Sequence, residues 1–282
     1  MHWFFIILIT LVSLVVTLVA IDVVSKFAIR PKVRLQQRPK TKTSYKTAYT
    51  TAHFVYGLWD STPMPEHFQE TMDLWEKQGW KIKLWNKQMV DNLLDEYPEY
   101  KQLIPSFTRK VQIADLARLL ILFKEGGHYF DLDCVPTEHN LFEHLNEFGP
   151  SNVFYLERRK GYITSIKVGL VNPIRKWKPE LPSRIANFAF GSQPNDPVIK
   201  HNLELLKDRC TQFANHHTDY DVIFKTGPDC TTSAVYEATD KEVLHNRYWM
   251  LHKGTGTWKN RKDITQTELS ESSPKGDKIS AR

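Results

Sequence analysis

The chain has 282 residues, of which 41% are hydrophobic, 12% aromatic and 25% charged. That is enough for one ample core with appendages, and the aromatic content excludes a wholly disordered chain. The net charge is +6, but the excess is confined to one short segment described below. The rest is close to neutral, which argues against a nucleic-acid partner, whose enzymes carry basic residues on the folded domain.

Trp3 to Ile21 is a run of 19 residues without a charge. As a helix it would be about 28 Å long, roughly one bilayer core. We read residues 1–22 as an uncleaved transmembrane anchor. Leu18-Val19-Ala20 leaves a cleaved signal peptide as the alternative. Residues 23–50 form a basic stem: Lys26, Arg30, Lys32, Arg34, Arg38, Lys40, Lys42 and Lys46 stand in a stretch (23–46) with no acid. A solvated linker touching lipid headgroups accounts for it.

Past the stem, apolar runs alternate in type. His53–Leu58 is predicted as a strand and Glu66–Gln78 as an amphipathic helix ending at Gly79. Trp80–Trp85 alternates as a second strand, and Met89–Glu96 is a second helix. Strand–helix alternation implies an α/β domain with a mostly parallel sheet, which binds ligands at the carboxyl ends of its strands.

The segment from Ala114 to Pro136 is the most informative. Val111–Phe123 is almost wholly apolar and predicts a buried helix. Its Asp115 and Arg118 are three apart and share a face. Gly126 and Gly127 suit the left-handed turn that closes a helix. His128–Asp133 is predicted as a strand, so Tyr129, Asp131 and Asp133 would face one way and His128, Phe130 and Leu132 the other. Pro136 ends it. Two carboxylates at that spacing are hard ligands suited to Mg2+ or Mn2+ carrying a phosphate. The plain alternatives are a surface hairpin with two solvated Asp and an ordinary helix salt bridge.

Val153–Glu157 is strand-like. Ser183–Gly191 is a strand or a helix end, and Asp196–Cys210 is a long helix. Residues 259–282 are polar and expected to be disordered. Cys134, Cys210 and Cys230 are too few and scattered for a disulfide framework or a zinc site. Cys210 and Cys230 are either bridged or free and buried.

The central segment resembles glycosyltransferase family 32, written S-D-x-x-R-y-x-x-L-y-x-x-G-G-x-Y-x-D-x-D. The matching residues are Asp115, Arg118, Leu122, Gly126, Gly127, Tyr129, Asp131 and Asp133, with Ala114 in place of Ser. Other elements follow in family order. They are His53-Phe54-Val55-Tyr56 with Pro63-Met64-Pro65, Asn187–Pro197, Thr226-Gly227-Pro228, and His252–Trp258 with Thr257 in place of Ser. The resemblance spans about residues 52–258.

It implies a GT-A-type, Rossmann-like catalytic domain over 51–258. It also implies a metal-dependent, retaining hexosyl transfer from a nucleotide sugar, GDP-mannose or a UDP-sugar. By this resemblance Asp133 ligates Mn2+ (or Mg2+) directly, Asp131 ligates it through water or meets the ribose, and His252 is a further ligand or a phosphate contact, with an ordinary loop histidine as the alternative. Asp115 and Arg118 hydrogen-bond donor hydroxyls. Tyr56 stacks on the base, Tyr129 completes the donor site, and Trp258 closes over the diphosphate beside Gly254 and Gly256. The acceptor would be a glycan or a sphingolipid-type lipid, with mannose slightly favoured over galactose or N-acetylglucosamine. A metal-dependent phosphohydrolase is the alternative class. The positively charged stem predicts a cytosolic domain, whereas the family implies the Golgi lumen; lumenal placement is the expectation adopted.

Overall fold

The computed structural model describes residues 2–28, 49–59, 62–159, 183–215, 217–238 and 241–254. The stem from 29 to 48, the tail, Gly256 and Trp258 therefore lie outside the described residues.

Helix α1 (His2–Ala28) holds the apolar run, and its Trp3–Ile21 stretch is long and apolar enough to cross a membrane. None of that stretch is buried against the rest of the chain. Strand β1 (Thr51–Val55) leads to helix α2 (Glu66–Lys77), and strand β2 (Lys81–Trp85) to helices α3 (Lys87–Asp95) and α4 (Pro98–Lys101). The first strand thus starts and stops earlier than its sequence predicts and leaves Tyr56 just beyond its carboxyl end. Helix α5 (Val111–Glu125) is the predicted buried helix. Strands β3 (Gly127–Phe130) and β4 (Cys134–Pro136), helix α6 (Leu141–Phe148) and strand β5 (Asn152–Arg159) follow. Strand β6 (Ser183–Ser192) resolves the open choice at that segment in favour of a strand. Helices α7 (Pro197–Gln212), α8 (Asp219–Lys225) and α9 (Pro228–Glu237), strand β7 (Glu242–His245), helix α10 (Asn246–Trp249) and strand β8 (Met250–His252) complete the order.

Among the described residues the main sheet has six strands in the order β2-β1-β3-β6-β5-β7. All run the same way except β6, which is antiparallel to both of its neighbours. The α/β expectation holds. Period-two alternation sorts the side chains into two cores. Tyr129, Phe154 and Phe190 pack with Leu116, Leu119 and Leu120 of α5 on one face. Phe54, Phe130 and Tyr155 pack with Trp75 of α2 and Leu145 of α6 on the other. Helices thus cover both faces, and the carboxyl ends of the parallel strands β1, β3 and β5 lie at one edge of the sheet, the edge where such folds carry their sites.

One prediction needs correction. The strand expected over His128–Asp133 stops at Phe130. Asp131–Asp133 forms a turn, in which the amide of Cys134 donates to the carbonyl of Asp131 at 2.9 Å. The reason is non-local. Strand β4 leaves the main sheet to pair with β8 in a separate two-stranded ribbon, and the chain must bend to reach it. Cys210 and Cys230 are free, buried thiols, and burial pushes both to about 12.

Candidate functional site

Asp115 and Arg118 lie on the inner face of α5, with side chains 3% and 5% exposed. A buried charge needs partners, and both have them. Asp115 Oδ1 accepts from Asn187 Nδ2 at 3.0 Å and lies 3.2 Å from Arg118 Nη2. Its Oδ2 accepts from the Thr226 hydroxyl at 2.8 Å. Burial lifts the Asp115 carboxyl to about 6, against the opposing pull of Arg118, Thr226 and Asn187. The Arg118 guanidinium donates to the carbonyls of Ala114 and Asn187. It sits 4.9 Å from the centre of the Tyr129 ring and 3.2 Å from Asp131 Oδ1. Burial disfavours its charge, but Asp131, Tyr129 and Asp115 outweigh that, so it stays a cation.

Tyr129 points from β3 toward α5, and its hydroxyl donates to Asp131 Oδ1 at 2.8 Å. Asp131 is thereby gripped from two sides, while its side chain remains 29% exposed. Burial holds its carboxyl above the ordinary carboxylate range, with Arg118 opposing and Asp133 adding to the rise. Across the turn, Asp133 Oδ1 lies 3.3 Å from His252 Nε2, at 14% and 25% exposure. Burial works against protonation of His252, yet the hydrogen bond and charge of Asp133 outweigh it and raise its pKa. The ring of Phe188 stacks on His252 at 3.8 Å.

The fold therefore brings Asp115, Arg118, Tyr129, Asp131, Asp133 and His252 into one line of contacts. Tyr56 is engaged elsewhere: its hydroxyl donates to the carbonyls of Thr62 and Pro63, each at 3.1 Å, and its ring packs on Phe68. Trp258 lies outside the described residues. Asn187 and Thr226 hold Asp115, a role their sequence did not reveal. A polar Asn inside the apolar run of β6 was the available signal. Cys134, set aside with the scattered cysteines, lies beside Asp133 and His252. One donor atom from each of the three falls within 4.8 Å of the others.

The donor set fits a divalent ion. Asp133 and His252 present an oxygen and a nitrogen from the open side, close enough to share one ion. Asp131 is already held by Arg118 and Tyr129. Residues 65–155, which hold α5 and the Asp131–Asp133 turn, match the family described as "Glycosyltransferase sugar-binding region containing DXD motif".

Over that stretch the chain is similar to the DXD glycosyltransferases.

Among its relatives is inositol phosphoceramide mannosyltransferase 1 of Schizosaccharomyces pombe. It is 29% identical over 85 residues, which make up 28% of this chain and 27% of the relative. Putative glycosyltransferase HOC1 of Saccharomyces cerevisiae is 22% identical over 237 residues, 77% of this chain and 59% of the relative. These matches thus span less than two thirds of either relative, 27% of the first and 59% of the second. Among solved structures, the PaToxG glycosyltransferase superposes with a TM-score of 0.44 at 16% identity, over 67% of this chain and 69% of that one.

Proposed function

We propose that this chain is a DXD glycosyltransferase, and specifically a membrane-anchored, metal-dependent, retaining hexosyltransferase. The supporting observation is the contact line from Asp115 through Arg118, Asp131 and Asp133 to His252 at the carboxyl end of the sheet. In this reading Asp133 and His252 hold the ion, which when bound neutralises the diphosphate that departs from the donor. Arg118, held charged by Asp115 and Asp131, faces the sugar and phosphate and orients the anomeric carbon. Asp115 has both oxygens engaged and acts as the residue that fixes Arg118. The Tyr129 hydroxyl stays protonated, because burial lifts it well above its ordinary range, and it holds Asp131 in place. Tyr56 and Trp258 keep the base-stacking and diphosphate-closing roles that the family suggests. No carboxylate is assigned as a covalent nucleophile, so we favour front-face displacement, in which the leaving phosphate takes the acceptor proton. A trapped glycosyl-enzyme would rule that out.

The named relative that mannosylates inositol phosphoceramide supports GDP-mannose as donor and a sphingolipid or glycan as acceptor. We assign residues 1–22 to the anchor, 23–50 to the stem, 51–258 to the catalytic unit and 259–282 to a tail, with the catalytic unit in the Golgi lumen. Digestion of that unit by protease in sealed microsomes without detergent would overturn the lumenal placement.

The purified chain with GDP-mannose and Mn2+ should release GDP and free mannose, because the bond broken is at the anomeric carbon. Release of GMP and mannose 1-phosphate would instead mark a phosphohydrolase. Asp133→Ala should lower metal-dependent turnover by about 100-fold or more. If that variant turns over like the parent, the reading fails.

A further inference from the structure

Cys134 is the residue beside the site that the proposed reaction does not use. It is fully buried, and its thiol donates weakly to the Phe188 carbonyl at 3.7 Å. Its position is set by strand pairing. In the β4–β8 ribbon Cys134 stands directly opposite His252. Residues directly opposite in an antiparallel pair project to the same face, with Cβ atoms about 4.5–5.5 Å apart. Asp133 precedes Cys134 and reaches the same histidine at 3.3 Å. A sulfur, a nitrogen and a carboxylate oxygen thus fall within 4.8 Å of one another.

We propose that Asp133, Cys134 and His252 form a binding site for zinc, distinct in chemistry from the harder ion that the Asp pair suits. The geometry is close to what zinc needs. With bonds of about 2.0–2.3 Å, tetrahedral ligands sit roughly 3.3–3.8 Å from one another, so the three donors need to close by about 1.5 Å at most. The Phe188 ring, stacked on the imidazole, already fixes the orientation of one donor. The ion enters from the side where Asp133 and His252 are partly exposed, and Cys134 forms the floor. The fourth position is left for water or a phosphate oxygen.

The chemistry separates two classes of ion. Thiolate selects zinc and cadmium, whereas carboxylate and water suit magnesium and manganese. Asp131 is tied to Arg118 and Tyr129, so zinc need not recruit it. Binding breaks the S–H bond of Cys134 and forms an S–Zn bond, and the proton passes to solvent. Zinc held this way occupies Asp133 and His252 together, so it competes with the ion that supports transfer. The site shares residues with the proposed reaction but does not rest on it, because it concerns ion binding by the resting chain.

The test uses the full chain in detergent, stripped of metal and reduced, with cadmium as the probe. Cadmium should give an ultraviolet thiolate charge-transfer band that saturates at one ion per chain. Zinc should abolish that band, and the same concentration of manganese should not. The Cys134→Ser variant should lose the band, while a double Cys210→Ser, Cys230→Ser variant keeps it. His252→Ala should weaken zinc affinity by about tenfold or more. A wild-type chain with no band, or a band that persists in Cys134→Ser, overturns the site. Should Cys134→Ser fail to fold, unchanged zinc affinity in His252→Ala overturns it alone. None of these readouts depends on turnover, so the loss of this site would leave the transferase reading standing.

Discussion

Arg118 is buried, and other side chains fix it in place. Its guanidinium lies between Asp115 and Asp131, and Asp115 is in turn anchored by Asn187 and Thr226. A hydrogen bond to a buried carboxylate contributes about 1.5–3 kcal/mol, more than a neutral pair. Thr226→Val keeps the shape and deletes one such donor. It should lower unfolding stability in urea by about 1–3 kcal/mol, and it should reduce turnover by loosening Arg118. Thr226→Ser restores the hydroxyl and should recover most of both. Equal behaviour of the Val and Ser variants would show that Thr226 only fills space. Of this network, the sequence displayed Asp115 and Arg118, because charges stand out in an apolar helix. Asn187 and Thr226 are far off in the chain, and their hold on Asp115 arises only when β6 and the end of α8 converge on α5.

At the scale of elements, the decisive piece is the passage from α5 through Gly126 and Gly127 into β3. The amide of Gly126 donates to the Leu122 carbonyl at 2.9 Å and closes the helix. Gly127, at φ +85°, then starts the strand. A Cβ on Gly127 would lie 2.8 Å from both the Thr51 carbonyl oxygen and His53 Nε2. One of these contacts is backbone and cannot rotate away. Gly127→Ala should therefore cost about 1–3 kcal/mol in strain and clash, and it should push β3 off β1, displacing Asp131. Gly149 is the control: at φ +55° it also needs a left-handed residue, but nothing lies within 4 Å of its would-be Cβ. Gly149→Ala should cost clearly less in the same denaturation experiment, and equal losses would remove close packing as the reason. This element was legible in advance, since an apolar run and a Gly pair are local signals. The turn at Asp131–Asp133 was not. Period-two alternation continues through it in the sequence, and what bends the chain is the pairing of β4 with β8.

At the scale of the whole molecule, the sheet carries two neutral histidines at its heart. His53 accepts from Trp85 Nε1 at 3.1 Å through Nδ1 and donates to the Gly126 carbonyl at 3.0 Å through Nε2. His128 donates to the Tyr129 carbonyl at 2.9 Å and accepts from the Tyr155 hydroxyl at 2.8 Å. Each ring has one donor and one acceptor partner, so a second proton would face a donor. Burial pushes His53 down to about 4 and His128 to about 3. The α/β layering was legible from alternation, but the choice of buried histidine over an apolar residue was not, because it depends on partners from four separate strands and loops. The consequence for stability has a definite sign. The unfolded chain takes up protons on these rings below about pH 6.5, while the folded chain does not. Their contribution is therefore complete above that pH and falls as the pH drops toward 4. Asp115, raised to about 6, works in the opposite direction, so the clean readout is a difference between variants. Between pH 7 and pH 5 each histidine should remove about 2 kcal/mol of unfolding free energy. His53→Gln keeps one amide donor and one acceptor and does not titrate, so it should flatten the dependence by about that amount. Urea unfolding of both proteins at pH 7 and pH 5 measures it, and parallel pH dependences would mean that His53 is protonated within the fold.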